Sequence, residues 1–204
     1  MGSMDHVPQD STSELVERAA KGEAAALEAL LERYLPSVRA YLRVRAGGLL
    51  LDKESASDLA QSVCRSVLER ADQFWTGEED GFRRWLFKTA ERKVLDRYAY
   101  YTAEKRSPEA EDPLQESGLH ATLAAYGDDL RSPSQDAMAR EELGRLEEAI
   151  EGLPDDLREV VILAKIVGLS RAAIGEELGK SEGAVRMMLH RALARLSDVM
   201  ASDD

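Results

Sequence analysis

An all-α fold of two small helical domains joined by a flexible acidic linker is what this sequence predicts, and three observations carry it. Apolar residues recur at three- and four-residue spacing through both ends of the chain, the period of a helix with one buried face. Residues 107–136 hold three of the six prolines and are rich in Ser, Gly and acid. Aromatics make up only 5% of the 204 residues, and no series of short alternating strands punctuated by turns is present.

The elements follow in order. Residues 1–10 lack an apolar core and read as a disordered N-terminus without a secretory signal. In residues 14–33, Leu15, Val16, Ala19, Ala20, Leu27, Leu30 and Leu31 recur at helical spacing, interrupted at Gly22. Pro36 predicts a kink or a fresh start, after which Val38, Tyr41 and Leu42 continue to Gly47-Gly48. A second helix over 55–71 puts Leu59, Val63, Val67 and Leu68 on one face. The loop TGEEDG, residues 76–81, leads to a long helix from Phe82 to about Tyr101. The first domain therefore spans 11–106, the linker 107–136 and the second domain 137–200. A short apolar patch at 119–126 and two Arg-Ser-Pro triplets, at Arg106 and Arg131, fall in or beside the linker.

In the second domain Leu143, Leu146, Ala149 and Ile150 form an apolar stripe. Pro154 suits the first position of a helix whose N-terminal dipole Asp155 and Asp156 complement, and Gly168 stops it. Ser170 caps a short helix to about Leu178, Gly179-Lys180 turns, and Ser181 caps the last helix. A short helix, a Gly-containing turn and a longer helix have the spacing of a helix-turn-helix. Stepping 100° per residue from Val185 places Leu189, Ala192, Leu193 and Leu196 inward, with Gly183, Met187, His190 and Ala194 outward between Arg186 and Arg191. Small and apolar residues flanked by arginines suit entry into a major groove, where arginine reaches guanine or phosphate.

Composition excludes several classes. One cysteine, Cys64, allows no internal disulfide and suits a reducing cytoplasm. With three dispersed histidines there is no metal-ligand spacing, and no cofactor motif is present. GEELGKS has three residues rather than four between its glycines, so it is not a phosphate-binding loop. No reactive constellation suggests an enzyme, and no apolar stretch approaches the roughly 18 residues of a membrane helix. The net charge of −12 is puzzling for a DNA reader, since phosphate neutralisation supplies most such affinity. Residues 11–106 carry 17 basic against 16 acidic residues, 107–136 carry 1 against 7, and 137–204 carry 9 against 14.

The string LEEAIEGLPDDLREVVILAKIVGLSRAAIGEELGKSEGAVRMMLHRALARL resembles region 4 of bacterial sigma factors of the extracytoplasmic-function type. The matching pieces are Leu153-Pro154, Gly168-Leu169-Ser170, Ile174-Gly175, Leu178-Gly179, Ser181-Glu182-Gly183-Ala184-Val185 and His190-Arg191-Ala192. Ala184 replaces a common threonine, and Ala173 an acid. In the first half, Asp58-Leu59-Ala60-Gln61-Ser62-Val63 resembles the core of sigma region 2.2, the helix that docks on the polymerase clamp. Phe82-Arg83-Arg84-Trp85-Leu86 with Arg92, Asp96 and Arg97 resembles regions 2.3 and 2.4, which open and read the −10 element; Arg92 and Ala99 depart from the usual asparagine and arginine.

The resemblance implies a cytoplasmic promoter-recognition subunit whose partners are core RNA polymerase and promoter DNA. Core polymerase would supply the DNA affinity that an acidic chain lacks. It assigns core binding to Asp58, Leu59, Gln61, Ser62 and Val63, and −10 contact to Phe82, Arg83, Arg84, Lys88, Arg92, Lys93 and Arg97. It assigns −35 contact to Arg171, Lys180, Ser181, Gly183, Arg186, Met187, His190 and Arg191. Ser55, Ser57 and Ser62 stand where the family pattern has acids, so phosphorylation by a Ser/Thr kinase is one expected mode of activation. Control by an anti-sigma partner is another. The different-class alternatives are a free-standing dimeric helix-turn-helix repressor and an adaptor that binds polymerase without reading promoters.

Overall fold

The computed structural model describes residues 10–73, 77–104 and 133–202, and every regular element among them is helical. Helix α1 (Thr12–Ala20) begins at Ser11, whose hydroxyl accepts from the Glu14 N–H while the Glu14 carboxylate accepts from the Ser11 N–H. Helix α2 (Ala24–Leu51) continues through Pro36, so the fresh start that is one expectation there does not occur. Pro36 and Glu32, whose carbonyl the proline leaves without its helical partner, are both exposed. The break comes instead at Gly47, with φ 60° and ψ 169°. Helix α3 (Ala56–Glu69) is capped by Ser55, and α4 (Glu79–Glu104) starts earlier than the sequence predicts, drawing Glu79, Asp80 and Gly81 out of the loop into its first turn.

Helices α1–α4 enclose Val16, Leu30, Leu42, Leu59, Val63, Phe82 and Leu86, all fully buried. Tyr34 and Trp85 flank the Phe82 ring at centroid distances of 5.6 and 6.2 Å. The Tyr98 hydroxyl donates to the Ala46 carbonyl, and a Cβ on Gly47 would lie 3.0 Å from that hydroxyl, so the glycine serves both the turn and the contact.

Helix α5 (Pro133–Glu151) begins four residues before the predicted start of the second domain. The rest of the linker, with its 119–126 patch, the Arg106 triplet, and Arg131 and Ser132 of the second triplet, lies outside the described residues, as do residues 1–9. Helix α6 (Asp155–Val161) has Pro154 as its cap, one position earlier than predicted, and widens into a π-type turn over Ile162–Val167. Gly168 closes that turn with φ 79°. Helix α7 (Arg171–Leu178) is capped by the Ser170 hydroxyl and closed by Gly179 at φ 62°. Helix α8 (Glu182–Ser202) follows, with the Ser181 hydroxyl accepting from the Ala184 N–H at 3.2 Å.

The two halves are less self-contained than charge and linker predict. The wide turn after α6 packs on α2 and α4, and the buried apolar residues of both halves form one continuous core.

Candidate nucleic-acid interface

The helix-turn-helix stands on a close backbone approach. The Lys180 N–H donates to the Gly175 carbonyl at 2.8 Å, folding the turn back over α7. A Cβ on Gly175 would stand 2.6 Å from the Lys180 carbonyl oxygen, closer than side chains tolerate against backbone. Gly175→Ala is therefore expected to destabilise the fold by about 1–3 kcal/mol. The helix-propensity gain of under about 1 kcal/mol does not offset that clash. Urea denaturation of the whole chain checks it, and an unchanged midpoint would show that the turn yields freely.

On α8, Val185, Met188, Ala192 and Leu196 face inward and are buried. Leu193, predicted inside, is 40% exposed, and Met188 takes the place it was expected to fill. The opposite face carries Gly183, Arg186, Met187, His190 and Arg191, all exposed, and Lys180, Ser181 and Arg171 at the turn and on α7 are exposed too. All eight residues predicted to meet a −35 duplex thus lie open to solvent in one part of the molecule.

The predicted −10 set divides. Phe82 is 0% exposed and belongs to the core, not to a stacking surface. Arg83 reaches across to the C-terminal half, where its Nη1 donates to the Gly168 carbonyl at 2.5 Å, while its Nε donates to the Tyr34 hydroxyl at 2.9 Å. Arg84 donates to the Ala173 carbonyl at 3.1 Å and pairs with Glu176 at 2.7 Å. Lys88 pairs with Glu177 at 3.1 Å, and Arg97 with Glu54 at 3.1 Å. Arg92 is exposed and Lys93 half-exposed. The Ser170 hydroxyl, besides capping α7, donates to the Asp80 carboxylate at 2.5 Å.

Alongside, Arg43 pairs with Glu147 and Arg45 with Glu159. A small cleft of about 100 Å³ lies between Tyr41, Phe87, Leu163 and Val167. Burial pushes the Tyr41 phenol up to about 12, so it stays neutral in this seam at any physiological pH. Sequence reasoning missed Tyr34, Asp80, Glu176 and Glu177. The one signal pointing to the last two was an acidic pair set five and six residues after Arg171, the cation of α7, and so beyond its three- and four-residue reach.

Helix α3 shows Asp58 and Gln61 to solvent and Ser62 in part. Leu59 and Val63, predicted to touch polymerase, are fully buried and hold the helix to the bundle instead. Among the described residues no group of His, Cys, Asp and Glu could hold a metal ion, and no helix is long and apolar enough to cross a membrane.

Two family models match, Sigma-70 region 2 over residues 30–106 and Sigma-70 region 4 over 143–196. The chain is 32% identical to the ECF RNA polymerase sigma factor SigD of Mycobacterium tuberculosis, over 93% of this chain and 84% of that one. The chain belongs to the ECF RNA polymerase sigma factors. It is also 33% identical to the ECF sigma factor ShbA of Streptomyces griseus, over 89% of this chain and 91% of ShbA. In fold it is similar to CnrH, solved in complex with the cytosolic domain of CnrY (TM-score 0.57, 24% identity, 96% of this chain and 100% of that one). As a sigma factor the chain directs RNA polymerase to promoters in transcription initiation, with core RNA polymerase and promoter DNA as its partners. Sigma factors are initiation factors, not enzymes.

Proposed function

We propose that this cytoplasmic sigma factor docks on the polymerase clamp through Asp58, Gln61 and Ser62 of α3. It then reads a −35 duplex with the outer face of α8 and a −10 element with the cations of α4. The observation that carries the reading is the α8 face, where Arg186, Met187, His190 and Arg191 are exposed on a helix fixed from behind by buried Val185, Met188 and Ala192. Groove entry needs such a rigid, outward set. The test is transcription by purified bacterial core polymerase over a library of the host's upstream DNA, with and without the protein. Transcripts that appear only with the protein support it. Tight duplex binding without polymerase, and no transcripts, would favour the dimeric repressor.

For regulation, added charge on α3 is the reading the local geometry favours. Ser57 is half-exposed in the first turn, where the helix's N-terminal field stabilises a phosphate. Ser55 is less well suited, because its hydroxyl already caps the helix and donates to the Asp58 carboxylate at 2.7 Å. Ser62 lies one turn beyond Asp58 on the same side. Aspartate at 55, 57 and 62 is expected to raise affinity for core and promoter-dependent transcription about three- to tenfold, measured by core titration and run-off assay. No gain in either removes the kinase reading and leaves control by a bound protein partner.

A further inference from the structure

We infer that Tyr100 of α4 is a stacking platform for one unpaired base of the promoter strand, with Arg97 holding the phosphate beside it. This rests on the reading of α4 as the −10 helix, but it uses a side of that helix away from the C-terminal half. At about 100° per residue, Lys93, Arg97 and Tyr100 fall within an arc of about 60°, and Arg97 stands about 180° from Lys88. The contacts to α7 and the turn before it are made by Arg83, Arg84 and Lys88, none of which belongs to this arc.

The ring is braced from below. Tyr100 is the only exposed ring of α4, at 58%, and it packs T-shaped on Tyr101 with centroids 5.1 Å apart. The Tyr101 hydroxyl donates to the Glu54 carboxylate at 2.6 Å, which ties the pair to the turn between α2 and α3. That carboxylate pushes the Tyr101 phenol up to about 12, so the bond is kept at any physiological pH. Glu54 also pairs with Arg97 through Nε at 3.1 Å, so the two Nη groups at the tip stay available for a phosphate. Exposed Asp96 lies on the other flank of the ring and repels phosphate, so a strand's backbone is drawn to the side of Arg97 and Lys93. An open aromatic face beside a fixed cation is what holds a single strand, because every base has a π-face and every nucleotide a charge. Phe82 is sealed in the core and the Tyr98 hydroxyl is engaged by the Ala46 carbonyl, so the stacking surface of α4 moves to Tyr100.

The test uses holoenzyme reconstituted from core polymerase and the full chain, on a promoter that the wild type transcribes. Single abasic sites are placed in turn through the non-template strand of its −10 element. Tyr100→Ala is expected to lower run-off transcription about five- to a hundredfold, and Tyr100→Phe, which keeps a ring, by about twofold at most. The urea midpoints of both should stay near that of the wild type, because the side chain lies on the surface. One abasic position should cost the wild type as much as Tyr100→Ala does, and should add nothing in that variant. Undiminished transcription with Tyr100→Ala overturns the inference. So does a loss that adds to that of every abasic position, which would assign the ring to duplex backbone or to polymerase. Arg92→Ala, exposed on α4 outside the patch, tells the two failures apart. If it loses transcription while Tyr100→Ala does not, α4 still reads the promoter and only the platform falls. If neither loses it, the reading of α4 as the −10 helix falls with it.

Discussion

Phe82→Ala is expected to cost about 3–5 kcal/mol of stability, the largest single-residue effect in the N-terminal bundle. The ring is fully buried and packed between Tyr34 and Trp85, so truncation removes its burial and leaves a cavity. A domain stable by about 5–15 kcal/mol loses a large share of its margin in this way. Transcription should fall as well, through unfolding of the clamp-binding and −10 helices together. Phe82→Leu separates this from a role in base stacking. Leucine retains most of the buried volume, and about 1.5 kcal/mol or less should be lost, with promoter-dependent transcription largely kept. Were the ring a stacking platform, leucine would abolish transcription while the urea midpoint stayed near that of the wild type.

Phe82 also marks where sequence reading reaches its limit. Its place beside a loop and at the head of a cationic helix is compatible with core or surface, and only the packing of Tyr34 from α2 decides. Local chemistry was far more legible. Ser170 and Ser181 cap the helices that their spacing predicts, and Gly168 and Gly179 adopt the positive φ that helix stops require. Pro36 misled because α2 carries it without a break, and Glu32, whose carbonyl loses its helical partner there, is exposed to water. Leu193 misled by a matter of angle: it lies about 80° from Val185 around α8, at the rim of the buried arc, whereas Met188 lies about 60° away on the other side. The cis contact between α4 and α7 was invisible for another reason. A near-neutral charge count over residues 11–106 conceals a row of cations on one helix, and nothing local tells that its counter-charge stands some ninety residues further on.

Replacing both Arg186 and Arg191 with alanine is expected to lower promoter-dependent transcription by about a hundredfold or more while leaving the urea midpoint nearly unchanged. Both side chains are exposed on α8, and among the described residues neither takes part in an ion pair, so their removal exposes no buried group and breaks no internal contact. The stability change should stay within about 0.5 kcal/mol. A guanidinium that reads guanine contributes about 1–3 kcal/mol, and one that holds phosphate lowers binding across all sequences and reduces its salt dependence. Lysine substitutions tell these apart. Lysine replaces arginine tolerably at a phosphate but not in a bidentate contact to guanine, so the position that lysine fails to rescue is the one that specifies the −35 sequence. Changing that guanine in the promoter should then cost the wild type as much as the lysine substitution does, and the two losses should not add. If the alanine pair transcribed like the wild type, the outward face of α8 would not be the −35 reader, and promoter choice would rest on the cations of α4 alone.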